Sequence, residues 1–129
     1  MSVLVKSFLL LSMLTLGWAH TDVYITNNLE GLEDLNLHCK SKDDDLGQHV
    51  LHNNQDFHIS FNTNYFFGTL FFCSFQWGNS PLFHFDVYDQ SRDFYICDDC
   101  KWSIRKDGPC RFELQKDLSY SYKCYPWKQ

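Results

Sequence analysis

The four residues Cys97-Asp98-Asp99-Cys100 have the spacing of a thiol–disulfide redox pair. Such a pair works where positive groups or a helix N-terminus favour the thiolate. Here two aspartates fill the gap in strand-like surroundings, so the pair reads as structural cystine. Zinc needs four ligands, as two such pairs or a Cys/His set. Cys110 and Cys124 are too irregularly spaced to complete one once Cys39 and Cys73 are matched. Asp43-Asp44-Asp45 invites calcium, but an EF-hand loop places acids at alternate positions, with a central glycine and a closing glutamate. Lys42, Leu46 and Gln48 do not serve as such ligands, and the triplet reads as a solvated turn whose aspartates cap backbone amides. No metal and no cofactor is expected.

His38, His49, His52, His58 and His84 are the candidates for acid–base chemistry. His38, His58 and His84 fall on the polar faces of alternating runs, and His49-Val50-Leu51-His52 lacks the glutamate of H-E-x-x-H zinc proteases. Neither a G-x-S-x-G elbow nor a Cys/His protease signature is present. The histidine motifs of secreted plant T2-type ribonucleases are missing as well. An enzyme is therefore not expected.

The elements that must carry these residues are strands. Apolar residues recur at every second position in Leu35/Leu37/Cys39, Phe57/Ile59/Phe61, Phe71/Cys73/Phe75/Trp77, Phe83/Phe85/Val87, Trp102/Ile104 and Phe112/Leu114. Each run predicts one buried face, and Arg111, Glu113 and Gln115 are expected on the polar side of the last. Leu70 and Phe72 lie opposite Cys73, which predicts a central strand covered on both faces. Turn formers separate the runs: Asn27-Asn28 with Gly31, Asp43 to Gly47, Asn53-Asn54, Asn62 to Gly68, Gly78 to Pro81, Asp89 to Asp93, and Asp107-Gly108-Pro109. Helical spacing fits nowhere. Short strands at this spacing predict an all-β protein, a small disulfide-braced antiparallel β-sandwich of about seven to nine strands.

Residues 1–19 read as an export signal, with Lys6 before the apolar run Phe8 to Leu16 and cleavage after Ala19, leaving 20–129 as a single domain. The run is too short to span a bilayer comfortably, so no membrane insertion is expected. All six cysteines follow the cut. An even number in an oxidising compartment implies disulfides, of which 15 pairings are possible. The favoured arrangement joins Cys39 to Cys73 and one of Cys97 and Cys100 to Cys110, with Cys124 taking the remaining partner. Loss of Lys6 with the leader moves the formal charge from −5 to −6 with histidines neutral. That balance argues against nucleic acid, whose phosphates need clustered Lys or Arg. Lys101, Arg105, Lys106 and Arg111 are the one candidate basic patch.

Two segments carry a family likeness. Leu37 to Gly47 reads L-H-C-K-S-K-D-D-D-L-G, and Gly68 to Trp77 reads G-T-L-F-F-C-S-F-Q-W. With Val23 to Leu29 (V-Y-I-T-N-N-L), Phe85-Asp86-Val87-Tyr88, and Cys100-x-Trp102 leading to Asp107-Gly108-Pro109-Cys110, the chain resembles the plant self-incompatibility S1 family over nearly its whole mature length. It departs in Cys124, which looks additional to the family's core cysteines. It also lacks an N-x-Ser/Thr acceptor, since Asn62-Thr63-Asn64 fails at its third position.

The resemblance implies a small secreted β-protein acting as an extracellular signalling ligand for a cell-surface receptor protein, monomeric, with polar loops held ready by the braced scaffold. The contact residues expected on this reading are Asp89, Gln90, Ser91, Arg92 and Asp93. Asp98, Asp99, Lys101, Arg105 and Lys106 follow less directly. The alternative is a secreted defence or carbohydrate-binding protein, for which Tyr88, Tyr95, Tyr120, Tyr122 and Tyr125 would be the contacts.

Overall fold

The computed structural model describes residues 18–64 and 68–128. The expected leader lies outside them as far as residue 17, as do residues 65–67 of the expected turn at 62–68. Nine strands and one short helix follow in order: β1 Trp18–Asn27, β2 Leu35–Lys40, β3 Asp45–Leu51, β4 Asp56–Asn64, β5 Leu70–Gln76, β6 Phe83–Asp89, α1 Gln90–Asp93, β7 Asp99–Arg105, β8 Gly108–Leu114 and β9 Tyr120–Cys124. They form two sheets, β4-β1-β7-β8-β9 and β3-β2-β5-β6. Every pairing is antiparallel except β1 with β7, which run parallel with Val23 opposite Cys100 and Ile25 opposite Trp102. A parallel pair needs a long crossover. Here the crossover includes the whole second sheet.

Between the sheets lie Val23 and Ile25, Leu35 and Leu37, Phe75, Phe85 and Val87, Trp102 and Ile104, all buried. Full burial of one such side chain contributes about 1.5–3 kcal/mol, against about 0–1 for an exposed ion pair, so this aromatic and aliphatic layer dominates stability. The Trp102 indole nitrogen donates to the Val87 carbonyl at 2.8 Å, which satisfies its one polar atom inside the core. Asn27, also buried, donates to the Glu33 and Leu51 carbonyls and accepts from the Leu29 amide. This is the physical role of the asparagine that ends V-Y-I-T-N. After β9 the chain straps the two sheets together. The Tyr125 amide donates to the Pro109 carbonyl, the Lys128 amide donates to the His84 carbonyl, and Trp127 packs on Phe75 and Phe83.

Three features differ from the sequence expectation. In β8 the faces are exchanged: Arg111 and Glu113 are buried while Phe112 and Leu114 are exposed. A two-residue turn pairs Arg105 with Gly108, so Arg111 falls opposite Trp102 and must share its inner face. Gly108 has φ +144°, and a Cβ there would collide with the Tyr125 carbonyl, so the strap and this turn fix one another. The second difference lies in β5, which is central, between β2 and β6, yet leaves Leu70 and Phe72 exposed on an open outer face. Lastly, Gln90–Asp93 form one helical turn rather than a plain loop. Asp89 caps it by accepting from the Ser91 amide.

Candidate functional site

Asp89 to Asp93, the expected contact loop, is in large part a structural joint. Asp93 is buried, and its carboxylate accepts two hydrogen bonds from Arg92 at 2.6 and 2.7 Å, one from Arg111 at 3.0 Å and one from the Asp89 amide at 2.9 Å. Arg111 also donates to Glu113 at 2.7 Å, and Glu113 accepts from the Tyr125 hydroxyl at 2.9 Å. The guanidinium of Arg92 stands over Phe85, Trp102 and Tyr125, and that of Arg111 over Trp102 at 4.4 Å. Burial alone would lower the Arg111 pKa, but the Asp93 and Glu113 carboxylates outweigh it and raise it. Asp93 is therefore withdrawn from any partner and Arg92 is mostly engaged in this joint. Ser91 is the exposed member, with Asp89 and Gln90 at intermediate burial.

The expected basic patch is not assembled either. Arg111 is in the buried network, and Lys106 is tied to Glu33 at 2.6 Å while its amide donates to Glu30. Cysteine pairing differs from the favoured arrangement in two of its three bonds. Cys39 joins Cys73, but Cys97 joins Cys100, and Cys110 joins Cys124. The reason is register: Cys110 and Cys124 face each other directly across β8 and β9 on the outer face, whereas Cys100 points into the core from β7. The acidic turn is held by its own side chains. Asp45 accepts from the Gly47 amide at 2.9 Å and contacts His38 at 2.6 Å, and both interactions lower its pKa.

Four of the histidines face aspartates at the surface: His38 with Asp45 and both His20 and His58 with Asp22 on the sheets, and His52 with Asp34 between the ends of β2 and β3. The Asp22 cluster was missed by sequence reasoning, which did not include His20 among its candidates. Its signal was the repeat of polar residues at alternate positions of β1 and β4, whose pairing is settled only in the fold. Ser60 Oγ lies 3.1 Å from His20 Nε2, and the same nitrogen is 3.2 Å from Asp22. A nucleophile relay needs serine and aspartate on opposite ring nitrogens. His20 Nδ1 instead faces Asn62 at 3.3 Å, so this group is a surface hydrogen-bond network.

Among the described residues, an apolar area remains open on each sheet. On the four-stranded sheet Leu70 and Phe72, 42% and 39% exposed, border a groove of about 330 Å³ with His84, Asp86 and Lys128. Lys128 pairs with Asp86 at 3.0 Å on its rim. Asp89 lies opposite Leu70 in the register, so α1 begins at the edge of this groove. On the five-stranded sheet the exchanged face of β8 joins β9 and the 94–98 turn to expose Tyr95, Ile96, Phe112, Tyr120 and Tyr122. Of the five tyrosines expected as sugar contacts, Tyr88 is buried and Tyr125 half-buried, leaving Tyr95, Tyr120 and Tyr122 at the surface. No helix among the described residues is long and apolar enough to cross a membrane.

Comparison with known proteins agrees with this architecture. The family model "Plant self-incompatibility protein S1" matches residues 22–127. S-protein homolog 5 of Arabidopsis thaliana is 50% identical over 111 residues, covering 86% of this chain and 80% of its own. S-protein homolog 18 of the same plant is 38% identical over 129 residues, covering 95% and 91%. A solved structure of SPH (self-incompatibility protein homologue) proteins, described as a widespread family of small, highly stable, secreted proteins from plants, shares the fold. It superposes with a TM-score of 0.55 at 16% identity, covering 88% of this chain and 99% of that one. The chain belongs to the plant self-incompatibility S1 family, the small secreted S-protein homologues.

Proposed function

We propose that the chain is a secreted, non-catalytic signalling ligand, read by a cell-surface receptor protein through the open face of the four-stranded sheet. The observation that carries this reading is the exposed pair Leu70 and Phe72 on a central strand, bordered by Asp86 and Lys128 and, across the register, by Asp89. An apolar centre inside a polar rim is the usual anatomy of a protein contact. The Cys39–Cys73 bond crosses from β2 to β5 directly beneath it, which reduces the ordering cost of binding. The expected contact set thus narrows from Asp89–Asp93 to its outward members, and Arg92 and Asp93 serve to hold α1 in place. Cleavage after Ala19 would start the secreted chain at His20, keeping His20 to Asn27 of β1.

The reading is tested by binding labelled, disulfide-intact mature protein to intact plant cells. Saturable binding that brief protease treatment of the cells abolishes is expected. Binding that never saturates, or that survives protease, would contradict a protein receptor.

A further inference from the structure

We propose that the cleft between the 94–98 turn and the β8–β9 hairpin is a binding site for a neutral oligosaccharide. This site is separate from the receptor face, on the other sheet, and goes beyond the signalling reading. The cleft encloses about 300 Å³, at the lower end of the range for small-molecule sites and too small for a folded partner. Its walls combine three exposed aromatic rings, Tyr95, Phe112 and Tyr120, with the polar groups of Asp98, Asp99 and Lys116.

That combination has a specific chemical meaning. Aromatic faces carry partial negative charge and attract positively polarised C–H bonds. One face of a pyranose ring presents such bonds, polarised by its oxygens, while its edge presents hydroxyls. The two aspartates beside the rings accept hydroxyl hydrogens, and the lysine donates. Phe112 and Tyr120 lie 5.7 Å apart at 17° between planes, an offset stack of two near-parallel rings, each more than half exposed. Tyr122, 63% exposed on the same face, meets Phe112 edge-on at 5.3 Å and adds a further ring along the sheet beyond the cleft.

The aromatic cluster is there by construction. Phe112 is outward because the turn at Lys106-Asp107 puts Arg111 inside, and Cys110–Cys124 locks β9 against β8 with Tyr122 opposite Phe112. Charge selects among sugars. Asp98 and Asp99 line the site beside the one lining cation, Lys116, while the charge of Glu113 is taken up by Arg111, on a chain of formal charge −5. Uronate polymers would be repelled, so the ligand class is uncharged.

The test is calorimetric or ligand-observed NMR titration of the mature, disulfide-intact protein with a panel of neutral plant cell-wall oligosaccharides and, in parallel, with oligogalacturonate. At least one neutral oligosaccharide is expected to bind with millimolar or tighter affinity and more tightly than oligogalacturonate. The double variant Phe112→Ala/Tyr120→Ala is expected to bind it at least about tenfold more weakly. Both side chains are at the surface, so the variant's thermal midpoint should stay near that of the wild type. Asp99→Asn should weaken binding with the rings intact, and Phe72→Ser on the other sheet should leave it unchanged. No neutral ligand at millimolar concentration, equal binding by the double variant, or preference for oligogalacturonate would overturn the proposal. So would self-association through this face in place of sugar binding, read as a concentration-dependent mass lost in the double variant.

Discussion

At the residue scale, the buried carboxylate of Asp93 determines more of this structure than any exposed loop residue. It neutralises two guanidinium groups at once, one of them fully enclosed. Removing one partner from a buried charge network leaves the others uncompensated, at a cost of about 3–5 kcal/mol. Asp93→Ala is therefore expected to lower the unfolding free energy by about that amount in urea titration. A surface loop residue would change it by about 0.5 kcal/mol or less. A second expectation concerns acid. A hydrogen bond from His58 holds Asp22 below the usual carboxylate range, and the Gly47 amide and His38 do the same for Asp45. A depressed carboxylate stabilises the fold above its unfolded pKa of about 3.9 and loses that contribution as pH falls through the folded value. Stability should thus decline below about pH 4, and Asp22→Asn/Asp45→Asn should flatten this decline in thermal melts taken across the acid range. Asp93 was expected as a receptor contact and was legible as a turn residue. Its burial was not, because its partner Arg111 arrives from β8, 18 residues later.

At the element scale, strand periodicity showed where the elements lie but not always which face goes in. In β2, β4 and β7 the apolar residues alternate with polar ones and face the core, as the pattern requires. In β8 the same alternation is present and the faces are exchanged, because a two-residue turn fixes the register and Asp93 compensates the buried charges. A period of two marks the two faces without ranking them. Cystine pairing has the same origin: Cys110 and Cys124 are joined because β8 and β9 pair, and the sequence carries no sign of that adjacency. The three bonds should differ in worth. Loop closure over 34, 14 and 3 residues corresponds to roughly 4, 3 and 1.5 kcal/mol in the chain-entropy model. Paired Cys→Ser variants followed by denaturant titration should rank Cys39/Cys73 above Cys110/Cys124, and both above Cys97/Cys100. A flat ranking would point to native-state contacts instead.

At the scale of the whole molecule, a sandwich of two sheets is stapled within each sheet by cystine and across them by the Tyr125–Lys128 strap. Among the described residues, an apolar groove opens on each outer surface. The class of fold and the family were readable because motifs spread over nearly the whole mature chain, from Val23 to Trp127, each form a structural joint: Asn27 in a buried turn, Asp45 in a capped hairpin, and Gly108 under the strap. The two proposed binding surfaces were not readable, since exposure of Phe72 or Phe112 is set by what the other described residues leave uncovered. Whether the four-stranded sheet's open face meets a receptor is decided by titrating labelled wild-type protein and Leu70→Ser/Phe72→Ser onto intact plant cells. Saturable wild-type binding is expected, with at least about a tenfold loss of affinity in the variant and a thermal midpoint near that of the wild type. Undiminished binding by that variant would contradict a receptor at this face.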